Sequence, residues 1–206
     1  MTAEDASARS GIRKTAGRPR DDSIDTAVLD AARELLAETG YAGVTVAAVA
    51  HRAGTTKTAI YRRWESKPHL VHDATFGRFT TLVPQSGRIS EDVAQMVEEV
   101  CAVFGSPVTR AALPGLIADM AADPAVHQRV LAGFAGVFGG VAERLTDARE
   151  RGELRVDVDP TIFVEMLGGA AILHTLMHRE DGLDEAWGAQ MLAALSAIVV
   201  DEPPAQ

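Results

Sequence analysis

Lys57, Thr58, Tyr61 and Arg62 are the residues of this chain whose types and spacing could do chemistry. On a helix, positions 57, 58, 61 and 62 share one face, so two cations and two hydroxyls would stand together there. Lysine and arginine meet phosphate oxygens or the acceptor edge of guanine, and threonine and tyrosine donate to phosphates or bases. That chemistry reads a surface; it does not break a bond. The parts a catalyst needs are missing from the sequence. There is no Ser-His-Asp order, no paired-carboxylate site, no phosphate-cradling glycine loop and no Cys-x-x-Cys, so neither an enzyme nor a cofactor is expected. His174 and His178 stand at i, i+4 and His69 and His72 at i, i+3, spacings that can hold zinc. Neither pair has a third ligand nearby in sequence. Solvated or core histidines are the expectation, and no metal site.

The elements that must position the 57–62 face can be read around it. Thr45 suits an N-cap, and Val46, Val49, Ala50 and Ala53 follow at i, i+3, i+4, i+7, one apolar face. Gly54 permits the tight exit from that helix. Thr55 or Thr56 caps the next one, which turns Ile60 and Trp64 inward. Ser66 caps a third helix with Pro68 in its first turn, where a missing N–H costs little. Two short helices crossing closely, the second with an apolar inside and a cationic, hydroxyl-rich outside, is helix-turn-helix geometry. On pattern alone, a small helical hairpin with a solvated charged face fits as well.

The run Ala50-His51-Arg52-Ala53-Gly54-Thr55-Thr56-Lys57-Thr58-Ala59-Ile60-Tyr61-Arg62-Arg63-Trp64-Glu65-Ser66-Lys67 goes further. It resembles the DNA-binding domain of TetR-family transcriptional regulators, whose pattern is roughly Ala-Gly-Val-Ser-Lys-Gly-Thr-Leu-Tyr-x-x-Phe-x-Ser-Lys. The resemblance covers about residues 20–70. It implies that Thr56, Lys57, Thr58, Tyr61 and Arg62 face DNA and that Lys67 clamps a phosphate, with Thr45 and Arg63 completing the set. Thr58 stands where the family often has Gly, and Ala59 where it often has Thr. Base preference should therefore differ from that of better-known members.

Charge agrees with this reading once it is divided. The net charge is −9, yet residues 1–70 carry 11 Lys/Arg against 9 Asp/Glu, and residues 71–206 carry 9 against 20. Basic charge is focused where DNA would sit, and the acidic remainder belongs to another domain. No apolar run approaches the ~20 residues of a membrane helix, and no secretory signal opens the chain, so the cytoplasm is expected and no membrane partner. One cysteine, Cys101, excludes an internal disulfide framework, and its position on an apolar stripe suggests a buried, inert thiol.

Along the chain, Arg13, Lys14, Arg18 and Arg20 make the start basic. Gly17-Arg18-Pro19-Arg20 resembles the basic arm of the family, with Arg18 and Arg20 as minor-groove candidates; a merely solvated terminus is the equal alternative. A first helix starts at Asp22 or Ser23 and closes at Gly40. The Ser66 helix runs to about Leu82, where Pro84 bars it. From Ser90 a stripe of Val93, Met96, Val97, Val100, Cys101 and Phe104 marks the next. Ser106-Pro107, Asp123-Pro124 and Asp159-Pro160 open further helices, Pro114 kinks or splits the first of these, and a last one runs from about Asp184 to Val200. The fold class is all-α with about nine helices. A DNA-binding domain over residues 1–68 precedes a ligand-binding and dimerisation domain over 69–206.

Gly133, Gly136, Gly139 and Gly140 interrupt a helical pattern at ~1 kcal/mol each against alanine. Either they allow close helix approach or a break, or they leave space for a ligand beside Phe134 and Phe138. The candidate pocket wall is Phe104, Met120, Phe134 and Phe138. The run Leu167-Gly168-Gly169-Ala170-Ala171, flanked by Met166 and Leu173, could join Leu192, Leu195 and Val199 in a two-fold interface, or pack internally; the resemblance implies a dimer built from the last two helices. The reading is therefore a homodimeric repressor bound to a pseudo-palindromic double-stranded operator and released by an unknown small, hydrophobic or amphipathic effector. The alternatives are an activator or a ligand-independent regulator, and, from another class, an enzyme or carrier using the helical pocket.

Overall fold

Side-chain caps set the short N-terminal helices of the computed structural model, which describes residues 22–77, 79, 85–178 and 182–198. Helix α1 (Asp22–Gly43) carries Gly40 at φ 68°, a left-handed conformation that interrupts it near its end. Helix α2 (Val46–Arg52) begins where the Thr45 hydroxyl accepts the Ala48 amide at 3.1 Å. Gly54, at φ 63°, turns the chain into α3 (Lys57–Tyr61), capped by Thr56 on the Ala59 amide at 3.2 Å. Ser66 caps α4 (Lys67–Phe76) on the His69 amide at 3.4 Å. Val28, Ala32, Leu36, Val49, Ile60 and Trp64 are buried between these helices. Leu70, Val71 and Ala74 of α4 join the same core, so the module's interior continues past residue 68.

Six more helices follow: α5 (Ile89–Phe104), α6 (Pro107–Ala122), α7 (Pro124–Gly133), α8 (Ala135–Glu150), α9 (Pro160–Met177) and α10 (Glu185–Ser196). The described residues thus form ten helices and no sheet. Ser106, Asp123, Asp159 and Asp184 cap α6, α7, α9 and α10, the first three ahead of a proline. The expected buried stripe of α5 is observed, from Val93 to Phe104, with Cys101 only half-buried. Burial, and behind it the carboxylates of Asp184 and Glu98, push the Cys101 thiol up, away from the reactive thiolate.

Several expectations are corrected. The fourth helix stops at Phe76, where Gly77 donates to the Asp73 carbonyl at 3.0 Å; Leu82 and Pro84 lie outside the described residues. Pro114 does not split α6, which runs unbroken through it from Pro107 to Ala122. The long run after Pro124 divides at Phe134, the residue between Gly133 and Ala135, where glycine has weakened the helix. This division gives ten helices in place of nine. Helix α9 widens into a π turn over Glu165–Gly169, which overlaps the first three residues of the small-residue run Leu167–Ala171. By length and composition alone it is also long and apolar enough to cross a membrane, contrary to the expectation that no apolar run approaches that length. Phe163, Leu167, Ala171 and Thr175 anchor one side of it in the core.

Candidate nucleic-acid interface and apolar cavity

The outer face of α3 has the expected chemistry. Lys57, Thr58, Tyr61 and Arg62 are all exposed, Tyr61 by 52% despite its ring, and among the described residues none of their side chains has a partner. The neighbouring Ile60 and Trp64 are buried and hold the helix down, and the Trp64 indole donates to Asp73 at 2.9 Å. Thr45 and Thr56 are exposed at the two cap positions, where each hydroxyl oxygen accepts an amide and each O–H is left to donate.

Two expected contacts are turned elsewhere. Arg63 pairs with Asp25 of α1 and reaches back to the Ala59 carbonyl at 3.4 Å, so its charge pins α3 to α1. Lys67 is half-buried with its ammonium 4.0 Å from the centre of the Tyr41 ring, a cation–π contact. Burial lowers its pKa, against the pull of Asp119. Its side chain therefore faces the junction with α6 and not the recognition face. Arg18 and Arg20 lie outside the described residues.

That junction was invisible in the sequence. The Tyr41 hydroxyl donates to Asp119 of α6, and burial with this bond drives the phenol pKa far up. The Tyr41 ring lies against Gly115, where a Cβ would come within 2.1 Å of it. Glu65, in the loop before α4, pairs with Arg129 of α7. His72, 3% exposed, lies against Gly133, where a Cβ would be 2.3 Å from its Cε1. Close helix approach is thus the explanation at Gly133, and Gly115 beside Pro114 was the comparable signal left unread. His72 shares Asp73 with Trp64 through Nδ1 at 3.0 Å, while its Nε2 is buried without a hydrogen-bond partner. His69, His72 and Asp73 do not complete a metal site, and no group of three candidate ligands exists among the described residues.

Behind the junction is a cavity of about 340 Å³. All four expected wall residues, Phe104, Met120, Phe134 and Phe138, line it, and so do Phe76 of α4 and the π turn of α9. Phe134 stands edge-on to His72 at 5.0 Å between ring centres and 5.4 Å from Phe76. One aromatic cluster therefore joins α4, from the helix-turn-helix side, to the cavity wall. Gly139 faces open space, and Gly168 and Gly169 line the cavity with nothing within 4 Å of a Cβ at either.

Along the outside of α9, Ile162, Met166, Leu173 and Met177 are exposed by 42–70%, an apolar stripe with Gly169 exposed beside it. Leu195, expected with them, is 0% exposed because it is packed inside the chain, and it leaves the interface set. Leu192 is half-buried against the same core, and Val199 lies outside the described residues. The His174 and His178 rings stack at 4.3 Å near the end of α9, with Trp187 beside His174.

Comparison with known proteins gives these features a setting. Residues 28–74 match the family described as bacterial regulatory proteins, tetR family, and residues 83–195 match the tetracyclin repressor-like C-terminal domain. Over 79 residues the chain is 38% identical to the uncharacterized HTH-type transcriptional regulator YdeS of Bacillus subtilis (strain 168), covering 37% of this chain and 40% of that protein. Over 122 residues it is 30% identical to the uncharacterized HTH-type transcriptional regulator Rv1556 of Mycobacterium tuberculosis (strain ATCC 25618 / H37Rv), covering 56% and 59%. The chain spans about half the length of the curated relatives it matches. The crystal structure of the TetR family transcription regulator SCO0332 superposes with a TM-score of 0.67 at 29% identity, covering 85% of this chain and 98% of that one. All three relatives are described as transcriptional regulators.

Proposed function

The chain belongs to the TetR family of bacterial transcriptional regulators, and from that premise we propose that it is a cytoplasmic, dimeric repressor released from its operator by a hydrophobic or amphipathic ligand. The observation that carries the reading is the continuity from one end to the other. A free polar face on α3, the junction around α4, and the Phe76–His72–Phe134 cluster at the cavity wall form one connected path. Lys57, Thr58 and Arg62 read base edges, and Tyr61, Thr45 and Thr56 donate to phosphates. An apolar cavity of this size suits a small hydrophobic molecule.

One three-helix module makes few base contacts, so useful specificity calls for two half-sites on a pseudo-palindrome. The exposed stripe of Ile162, Met166, Leu173 and Met177 supports α9 as the seam with a second copy. Ligand in the cavity would tilt α4 and change the spacing of the two recognition helices, which rigid DNA does not follow. The test is an electrophoretic shift with the DNA upstream of the chain's own coding sequence. A shift that survives excess unrelated DNA is expected; no preference over unrelated DNA would overturn the reading. In the same system Gly169→Arg, which drives a long charge into the seam, should give monomer by light scattering and lose the shift. An unchanged dimer would move the interface elsewhere.

A further inference from the structure

The cavity is apolar with a single exception, which indicates what kind of molecule enters it. Among its described lining residues only Glu165 has a polar side chain. Glu165 opens the π turn of α9, is exposed, and among the described residues has neither a hydrogen-bond nor an ion-pair partner. Glu165 lines the cavity together with Gly168 and Gly169, whose missing side chains leave the approach open, and its exposure puts it at the lip. Deeper in, the wall is Phe104, Phe134 and Phe163. Such a site offers an apolar interior for a hydrocarbon body and one negative charge at the rim for its end.

On the reading that this cavity holds the effector, we infer that the effector is a cationic amphiphile, its apolar body among the phenylalanines and its single positive head on Glu165. Anions are disfavoured twice. The rim carboxylate repels them, and residues 71–206 hold 20 acidic groups against 9 basic ones. A neutral amphiphile gains the apolar contacts only. A cation gains the ion pair as well, at a rim open to solvent where such a pair contributes modestly. The free carboxylate need not break any internal bond to accept it.

Three probes that share one ten-carbon chain and differ only in the head separate the contributions: n-decylamine, 1-decanol and decanoate. Their affinities for the full chain are measured by calorimetry below micelle-forming concentrations. Wild type should bind decylamine about fivefold more tightly than decanol, the upper end of what a solvent-accessible ion pair contributes, and decanoate least. Glu165→Gln should bring decylamine down to decanol, and Glu165→Lys should put decanoate first. Because Glu165 has no partner, both variants should melt like wild type without ligand, which separates a lost contact from a damaged fold. Equal binding of all three probes, or a preference unchanged in Glu165→Gln, overturns the head-group assignment and leaves the cavity as an apolar ligand site. Binding of none of them overturns the cavity reading itself.

Discussion

The two halves of the molecule do their work in opposite ways. In the helix-turn-helix module the working residues are on the outside and the interior is filled: Val49 and Ile60 are 0–1% exposed, while Lys57, Thr58 and Arg62 project without partners. In the larger domain the working surface is on the inside, a void of about 340 Å³ walled by phenylalanine and methionine. Polar recognition needs only a rigid platform, which local caps and a packed core supply. A cavity needs apolar side chains left with part of their surface unpaired, so it costs stability where the module gains it. Function has its energetic cost in the second half and not in the first.

The largest test of that contrast compares two aromatic truncations. Trp64→Ala removes a 5% exposed indole and its bond to Asp73, and should cost about 3–5 kcal/mol in urea denaturation. Phe138→Ala, at a wall already facing empty space, should cost clearly less. Equal losses would mean the cavity wall is packed as tightly as the module. Enlargement should show the same asymmetry with the sign turned. Val49→Leu should cost on the order of 1–3 kcal/mol by overpacking, whereas Val137→Leu, beside the cavity, should be nearly neutral and should weaken decanol binding.

The same contrast governs what could be read from the sequence. Thr45, Thr56 and Ser66 each act on an amide two or three residues past the helix start, so their roles are written within a few positions. The Asp-Pro starts of α7 and α9 were legible for that reason as well. Tyr41 and Asp119, 78 positions apart, had no such local sign. Nor did the diversion of Lys67 onto Tyr41, which its place in the family pattern argued against. Phe134 and Phe138 were legible as wall residues because glycines interrupt the helical pattern beside them, and Phe104 and Met120 as apolar residues of neighbouring helices, yet Glu165, a lone charge among apolar neighbours, was passed over. Leu195 sits on a stripe that looks the same whether it faces a second copy or its own core.

Adjacent arginines sharpen the module's half of the comparison. Arg62→Ala should cost about 1–3 kcal/mol in operator binding and relax preference at one base position. Arg63→Ala, which frees Asp25, should lower the melting temperature and leave base preference unchanged. Binding-site selection on both variants checks this; a changed preference in Arg63→Ala would return that residue to the groove.

The smallest expected effect is on pH and lies where the halves meet. Partial burial pushes the Asp73 carboxyl up, but hydrogen bonds from His72 and Trp64, with the field of His69, outweigh it and hold the group below the usual carboxylate range. Its folded pKa is lower than its unfolded one, so the stabilisation is complete above about pH 4 and is lost as pH falls through the folded value. Asp73→Asn should lower stability at pH 7 and flatten the acid limb below about pH 4. An acid limb as steep as wild type would remove Asp73 from the junction's electrostatics.

The claim that joins the two halves is coupling between cavity and operator, and coupling between two binding sites is reciprocal. The direct measurement takes a compound that raises the melting temperature, since a molecule bound only to the folded state must do so. Its affinity is titrated for the free protein and for the protein saturated with operator, and the operator's affinity is titrated with and without the compound. The account predicts weaker binding in both cross-titrations by one and the same factor, roughly 5–150-fold. Equal compound affinity with and without operator would contradict it, leaving a filled cavity that does not speak to the DNA.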